Sequence, residues 1–236
     1  MIWRGADIST RSTPRAFLRD PNIPGKKMEP ASAAGIFPPR CTRERPMSYP
    51  AQYKAVVLNA IDGIDLGRVG EVIRIFQEAR SHGWRIFICS DGGGAAAAAR
   101  ILGDAVKSVS FNRAERFRVM ALNDELPRST QATEDQARER SLVEQLKNFA
   151  EPGDLVVGIT RSGDSLSVVR AIEYARWIGC ATISIAGFSG GRLASLADVS
   201  VHVPATHPGS VEDAQSIICH MIGCYFLDAE AARKAG

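Results

Sequence analysis

The stretch Trp84-Arg-Ile-Phe-Ile-Cys-Ser-Asp91-Gly92-Gly93-Gly94, followed at once by Ala95 to Ala99, decides the fold. A short apolar run with β-branched and aromatic residues, then three glycines, then an alanine-rich segment reads as strand, tight loop and helix start. Successive glycines let a backbone approach a ligand closely, and the free N–H groups and positive dipole end of the next helix favour negative charge there. A dinucleotide loop would need glycine at position 97, where alanine stands, and no Gly-Lys-Ser/Thr follows for a nucleoside triphosphate. The loop therefore suits a phosphate on a smaller molecule. Its bland alternative is a glycine turn that serves packing alone.

Outward from this point, strand and helix patterns alternate. Two helices precede it, one entered at Ser48-Tyr-Pro50 with Tyr53, Val56, Val57, Ala60 and Ile61 at helical spacing, the other carrying Val69, Val72, Ile73, Phe76 and Ala79 up to His82-Gly83. After it come a strand at Phe117 to Leu122, a helix over 129–149, and a strand at Leu155 to Ile159. A helix from Ser165 to Trp177, a strand at Ala181 to Ala186, a helical turn at Leu193 to Leu196 and an edge strand at Val199 to Val203 follow. The last helix, about Val211 to Ala232, is apolar nearly all round and is expected to be buried or to lie between subunits. This alternation predicts an α/β fold, a doubly wound five-stranded parallel sheet with helices on both faces, for which the flavodoxin-like order 2-1-3-4-5 is the expected arrangement. In that order the chain reverses between the first and third strands. The loops Ser90 to Gly94 and Thr160-Arg161-Ser162-Gly163-Asp164-Ser165 then share one crevice.

Composition bounds the rest. The chain has 236 residues, 45% hydrophobic and 23% charged, enough for one large core. Residues 1–46 hold nine Lys/Arg against four Asp/Glu, so residues 47–236 keep 20 Lys/Arg against 22 Asp/Glu, a net charge of −2. That part offers no electrostatic case for nucleic acid, and no run approaches the ~20 apolar residues of a membrane span. Residues 1–46 also hold seven of the twelve prolines and no sustained periodicity. They are expected to be a disordered extension to a domain over 47–236, with Met47 a candidate start. The five cysteines lack metal or redox spacing and suit a reducing, cytoplasmic setting; Cys89, beside the glycine loop, is expected to be a buried strand-end residue.

The second loop places three hydroxyls and a cation where a strand gives way to a helix, which suits phosphate oxygens, although Ser162 or Asp164 can equally cap the helix. Gly153 to Ser165, Val169 to Ala175, Ser189-Gly-Gly-Arg-Leu-Ala194 and Ala197 to Pro204 closely resemble the sugar isomerase (SIS) domain. The resemblance covers roughly residues 48–232 and leans toward the phosphoheptose isomerase branch. It implies a three-layer fold with two leading helices and a long closing helix, a tetramer, and an aldose–ketose isomerase of the sedoheptulose 7-phosphate type.

The resemblance also implies residue roles. Phosphate is held by positions matching Thr160, Ser162 and Ser165, with Arg161 adding charge; the first loop contributes Asp91, Gly92, Gly93 and Gly94, and Asp124 follows the second strand. The family's loop-one serine is replaced by Gly94 and its asparagine by Asp91. Its acid/base glutamate and histidine match Asp104 and His220, the first one methylene short. Metal-using members of the branch place histidine, glutamate, glutamine and histidine at positions matching Arg100, Asp104, Glu212 and His220. Arg100 repels a cation, which leaves Asp104, Glu212 and His220 as a possible zinc set, although eight residues on one helix separate the last two by about 12 Å. Bland readings stand beside these: an i, i+4 ion pair for Arg100 and Asp104, a satisfied core histidine for His220, surface exposure for His207. The altered positions also admit a non-catalytic adaptor, like replication-initiator-associating proteins, or a phosphosugar sensor.

Overall fold

Why the chain starts and stops its helices where it does is visible in the end residues. In the computed structural model, which describes residues 48–90, 94–103, 109–111, 113, 115–122 and 134–235, α1 (Tyr49–Asp62) has Pro50 in its first turn, where a missing N–H costs nothing. α2 (Leu66–His82) starts on Asp65, whose carboxylate accepts from the backbone N–H groups of Gly67 and Arg68, and ends on Gly83 at φ +68°. α5 (Leu166–Ile178) ends the same way on Gly179 at φ +88°, the left-handed conformation that glycine adopts without steric cost.

Between the helices lie five strands: β1 (Arg85–Ser90), β2 (Arg118–Leu122), β3 (Leu155–Thr160), β4 (Ala181–Ala186) and β5 (Val199–His202). They form one sheet in the order β2-β1-β3-β4-β5, and every pairing is parallel. This is the expected doubly wound topology. The remaining helices are α3 (Ala95–Gly103), α4 (Glu134–Phe149), the short α6 (Leu193–Leu196) and the long α7 (Pro208–Ala235).

The sheet is covered on both faces, so its central strands are apolar without interruption, as parallel strands are. Ile86, Ile88, Leu155, Val157 and Ile159 point into a core shared with α1, α2, α3 and α7. Phe87, Cys89 and Val156 point the other way, into a core closed by α4 and α5 with Leu142, Leu146, Val168 and Ile172. β2, at one edge, leaves Met120 40% exposed.

The starts of β2 and α7 differ from expectation. β2 begins at Arg118 because the Phe117 N–H is taken by the Ser110 hydroxyl at 2.9 Å, which leaves the ladder to start with Arg85 opposite Arg118. α4 is described from Glu134, so 129–133 of the expected helix lie outside the described residues. α7 starts earlier than Val211, because Pro208 can open it and His207 caps it: the Val211 N–H donates to the His207 carbonyl, and Nδ1 of His207 accepts from the Ser210 N–H at 3.3 Å. α7 is also less uniformly covered than its composition suggests. Val211, Ala214, Ile218, Cys219, Ile222 and Phe226 are buried, whereas Tyr225 is 43% exposed. The expected extension over 1–46 lies outside the described residues, as does the boundary at Met47.

Candidate functional site

The site is set by one register. Ser90, the last residue of β1, stands opposite Ile159, the penultimate residue of β3. The loops that leave these two strands therefore emerge side by side at the carboxyl end of the sheet, at the point where the strand order reverses. In the loop after β1, Asp91, Gly92 and Gly93 lie outside the described residues; Gly94 is buried. A Cβ on Gly94 would come within 2.6 Å of the Ile159 carbonyl oxygen and 3.1 Å of the Ser90 Cβ. Glycine at 94 lets the first loop rest against β3, and it leaves no room for the hydroxyl that the resemblance expects there.

The loop after β3 is held from its far side. Gly163 has φ +75°, and a Cβ there would lie 1.9 Å from the Gly190 carbonyl oxygen, so the backbones of this loop and of the turn after β4 are in direct contact. The Leu193 N–H donates to the Gly163 carbonyl at 3.1 Å, and the Arg192 N–H donates to the Asp164 carboxylate at 3.0 Å. Asp164 is thus turned toward Arg192, not toward the start of α5. Ser162 accepts from the Asp164 N–H at 3.1 Å. Ser165 stands at the N-cap of α5 without a side-chain cap bond; its hydroxyl lies 3.3 Å from that of Ser167. Ser162 and Ser165 are half-buried, Thr160 is fully buried at the root of the loop, and Arg161 is exposed.

α7 closes the crevice. Glu212 faces the loop, its carboxylate 3.5 Å from the Arg161 guanidinium, with both side chains partly exposed. One turn later comes a residue the sequence reading passed over. Gln215 is fully buried, and its amide donates to the Thr160 carbonyl at 2.9 Å and to the Ile185 carbonyl at 3.1 Å, pinning the helix to the carboxyl ends of β3 and β4. Its signal was legible: a glutamine on the apolar stripe formed by Val211, Ala214, Ile218 and Ile222. His220, half-buried, lies two turns beyond Glu212 on the same helix.

At the rim, the Tyr53 hydroxyl donates to Asp213 at 2.7 Å, and this bond to a carboxylate holds the phenol above its ordinary pKa. The ring of His207 meets Tyr53 edge-on at 5.6 Å; the histidine is exposed, as expected. Cys89 is fully buried, and burial pushes its thiol up to about 12, so it is not a nucleophile of this site.

Two expected acids, Asp104 and Asp124, lie outside the described residues. Arg100 is exposed on α3. Among the described residues no three His, Cys, Asp or Glu side chains gather as metal ligands. The described partners of the expected zinc set fit poorly: Glu212 already faces a guanidinium, and His220 is about 12 Å further along the helix axis. A cavity of about 620 Å³ against Arg85, Arg118, Lys147 and Phe149 lies at the amino ends of β1 and β2, away from both loops, and its cations are engaged by Asp154, the Gly83 carbonyl and Glu144.

Similarities to known proteins converge on this geometry. The sequence model described as SIS domain matches residues 52–187. A phosphoheptose isomerase from Crocosphaera subtropica is 33% identical over 168 residues, 71% of this chain and 83% of that protein. A probable phosphoheptose isomerase from Thermoplasma volcanium is 30% identical over 166 residues, 70% of this chain and 84% of that one. The fold matches the structure of a phosphoheptose isomerase from Neisseria gonorrhoeae with a TM-score of 0.66 at 21% identity, over 75% of this chain and 95% of that one.

Proposed function

The chain belongs to the SIS-domain family, and we propose that it is an aldose–ketose isomerase of the sedoheptulose 7-phosphate type. The observation that carries the proposal is the register of Ser90 against Ile159, which sets the glycine loop and the hydroxyl-bearing loop beside one another. The phosphate lies on the open N–H groups at the start of α5, with the hydroxyls of Ser162 and Ser165, Thr160 at the loop's root and Arg161 around it. Asp91, Gly92, Gly93, Gly94 and Asp124 are the further substrate-binding residues of this proposal.

The reaction moves two hydrogens and needs no co-reactant. A base removes a proton from the carbon beside the carbonyl, giving an enediol, and the proton returns to the neighbouring carbon while a second group exchanges protons between the two oxygens. Asp104 and His220 are the proposed acid/base pair. Glu212 orients the substrate. The exposed apolar side chains of Tyr49, Val56 and Leu58 on α1, Leu66 on α2 and Tyr225 on α7 support a homotetramer. A cytoplasmic location accords with the cysteines, and among the described residues no helix is long and apolar enough to cross a membrane.

The relatives named above are isomerases, so the adaptor or sensor alternative is not favoured. Incubation with sedoheptulose 7-phosphate, with aldose formation followed by a coupled assay, is expected to show turnover. No turnover on any seven- or six-carbon sugar phosphate, with or without divalent metal, overturns the proposal.

A further inference from the structure

The two charges of the loop after β3 are held differently: Asp164 accepts a backbone N–H, whereas Arg161 meets a side chain alone. Thr160 is anchored through its carbonyl to Gln215, Gly163 rests on Gly190 and Asp164 is taken by Arg192, whereas the Arg161 side chain reaches across the crevice to Glu212 on α7, 3.5 Å away. Both members of that pair are partly solvated, with 44% of the arginine and 39% of the glutamate side chain exposed. Solvated pairs of this kind hold together weakly and exchange partners at little cost. A phosphate dianion at the start of α5 offers the same fork-shaped acceptor as a carboxylate, with about twice the charge. Arg161 cannot give its full set of donors to both.

We propose that Glu212 holds Arg161 in reserve and that a phosphate dianion displaces it, so that this pair is the element that distinguishes phosphorylated from unphosphorylated sugars. The inference rests on the phosphosugar-isomerase reading and concerns the side chain of Arg161 alone. A neutral sugar has no group able to compete with the Glu212 carboxylate, so the pair stays closed and the cation stays off the loop. A dianion opens it, gaining the guanidinium and leaving the Glu212 carboxylate free on the α7 side of the ligand. Arg161 is in this sense a specificity residue, and Glu212 acts on the phosphate through it.

Inorganic phosphate, titrated calorimetrically into the full chain and into R161M, E212Q and the double variant, tests the exchange without relying on turnover. Both side chains are exposed, and matching melting temperatures show that the variants remain folded. R161M is expected to weaken phosphate by about tenfold or more, the worth of a charge-assisted bond. E212Q removes the competitor and is expected to tighten phosphate about two- to fivefold, the range of a solvated ion pair, and to do so less in the R161M background. Equal tightening in both backgrounds shows simple charge repulsion and overturns the inference, as does no tightening at all. With turnover measured in parallel, R161M is expected to lower kcat/KM for the phosphosugar at least about tenfold more than for the unphosphorylated ketose; a parallel loss on both substrates overturns the inference and leaves the isomerase reading intact. Absence of phosphate binding to the unaltered chain overturns the inference, while the isomerase reading stands or falls with the turnover assay.

Discussion

The two ends of the sheet use the same residue types to opposite purposes. At the amino end, Asp154 is buried and accepts from the Arg85 N–H at 2.8 Å and the Glu151 N–H at 2.9 Å, while the Asp198 carboxylate accepts from the N–H and hydroxyl of Thr182. These carboxylates tie strand starts together. At the carboxyl end, Glu212 meets a partly solvated arginine, and Ser162 and Ser165 are half-buried, bonded to the Asp164 N–H and to the Ser167 hydroxyl in the first turn of α5. A carboxylate whose acceptor sites are filled by buried backbone donors is a structural part; one left half in solvent at a strand-order reversal is available to a ligand.

The sharpest way to break this contrast is to alter one residue at each end. At the carboxyl end, H220N is expected to lower kcat by about 10²- to 10⁴-fold, the range of a lost acid/base group, with the thermal midpoint little changed; steady-state kinetics alongside calorimetry checks it. Next in size is a comparison of two thiols. Cys89 is buried with its thiol pushed up to about 12, whereas Cys224 is exposed, so iodoacetamide at pH 8 is expected to label Cys224 at least about a hundredfold faster in the folded protein, as access and the raised value at Cys89 dictate. The sign for stability follows from the raised value. The buried thiol's contribution is complete below the unfolded chain's pKa of about 9 and is lost as pH climbs from there toward about 12, so alkaline unfolding is expected in that window.

At the amino end, D154A orphans two backbone donors and is expected to cost about 1–3 kcal/mol in urea unfolding, while KM stays as it was. A change in KM without loss of stability would erase the distinction between the ends. The smallest expected effect is G94S. Restoring the hydroxyl places a Cβ 2.6 Å from the Ile159 carbonyl oxygen, so the first loop must shift, at a cost of about 1–3 kcal/mol, and phosphate titration is expected to show no gain in affinity. Tighter phosphate in G94S would mean that the loop after β1 adapts freely.

Much of the fold could be read from the chain because parallel strands buried on both faces are continuous apolar runs. Ala181 to Ala186 is β4 to the residue, and the turn at Leu193 to Leu196 is α6. The parallel sheet followed from alternation, whereas the order 2-1-3-4-5 was assumed from the flavodoxin-like pattern of doubly wound sheets. What the sequence hid depends on partners far along the chain. The start of β2 waits on Ser110, the direction of Asp164 on Arg192, and the pairing of Arg161 with Glu212 joins residues on different elements. No local pattern marks a glycine as the contact point of two backbones, so nothing in the run Thr160 to Ser165 set Gly163 apart. Gln215 was the exception, a polar side chain on a buried stripe whose role could have been suspected from its position alone.

The meeting of Gly163 with Gly190 has a consequence for anyone redesigning this scaffold. Two main chains in contact leave nothing to trim and nowhere to insert, so the platform beneath the ligand has to be inherited whole. New substrate preferences must be written in the side chains at 161, 162 and 165, and a library that also randomised 163 or 190 would spend most of its members on proteins that never assemble a floor to stand the ligand on.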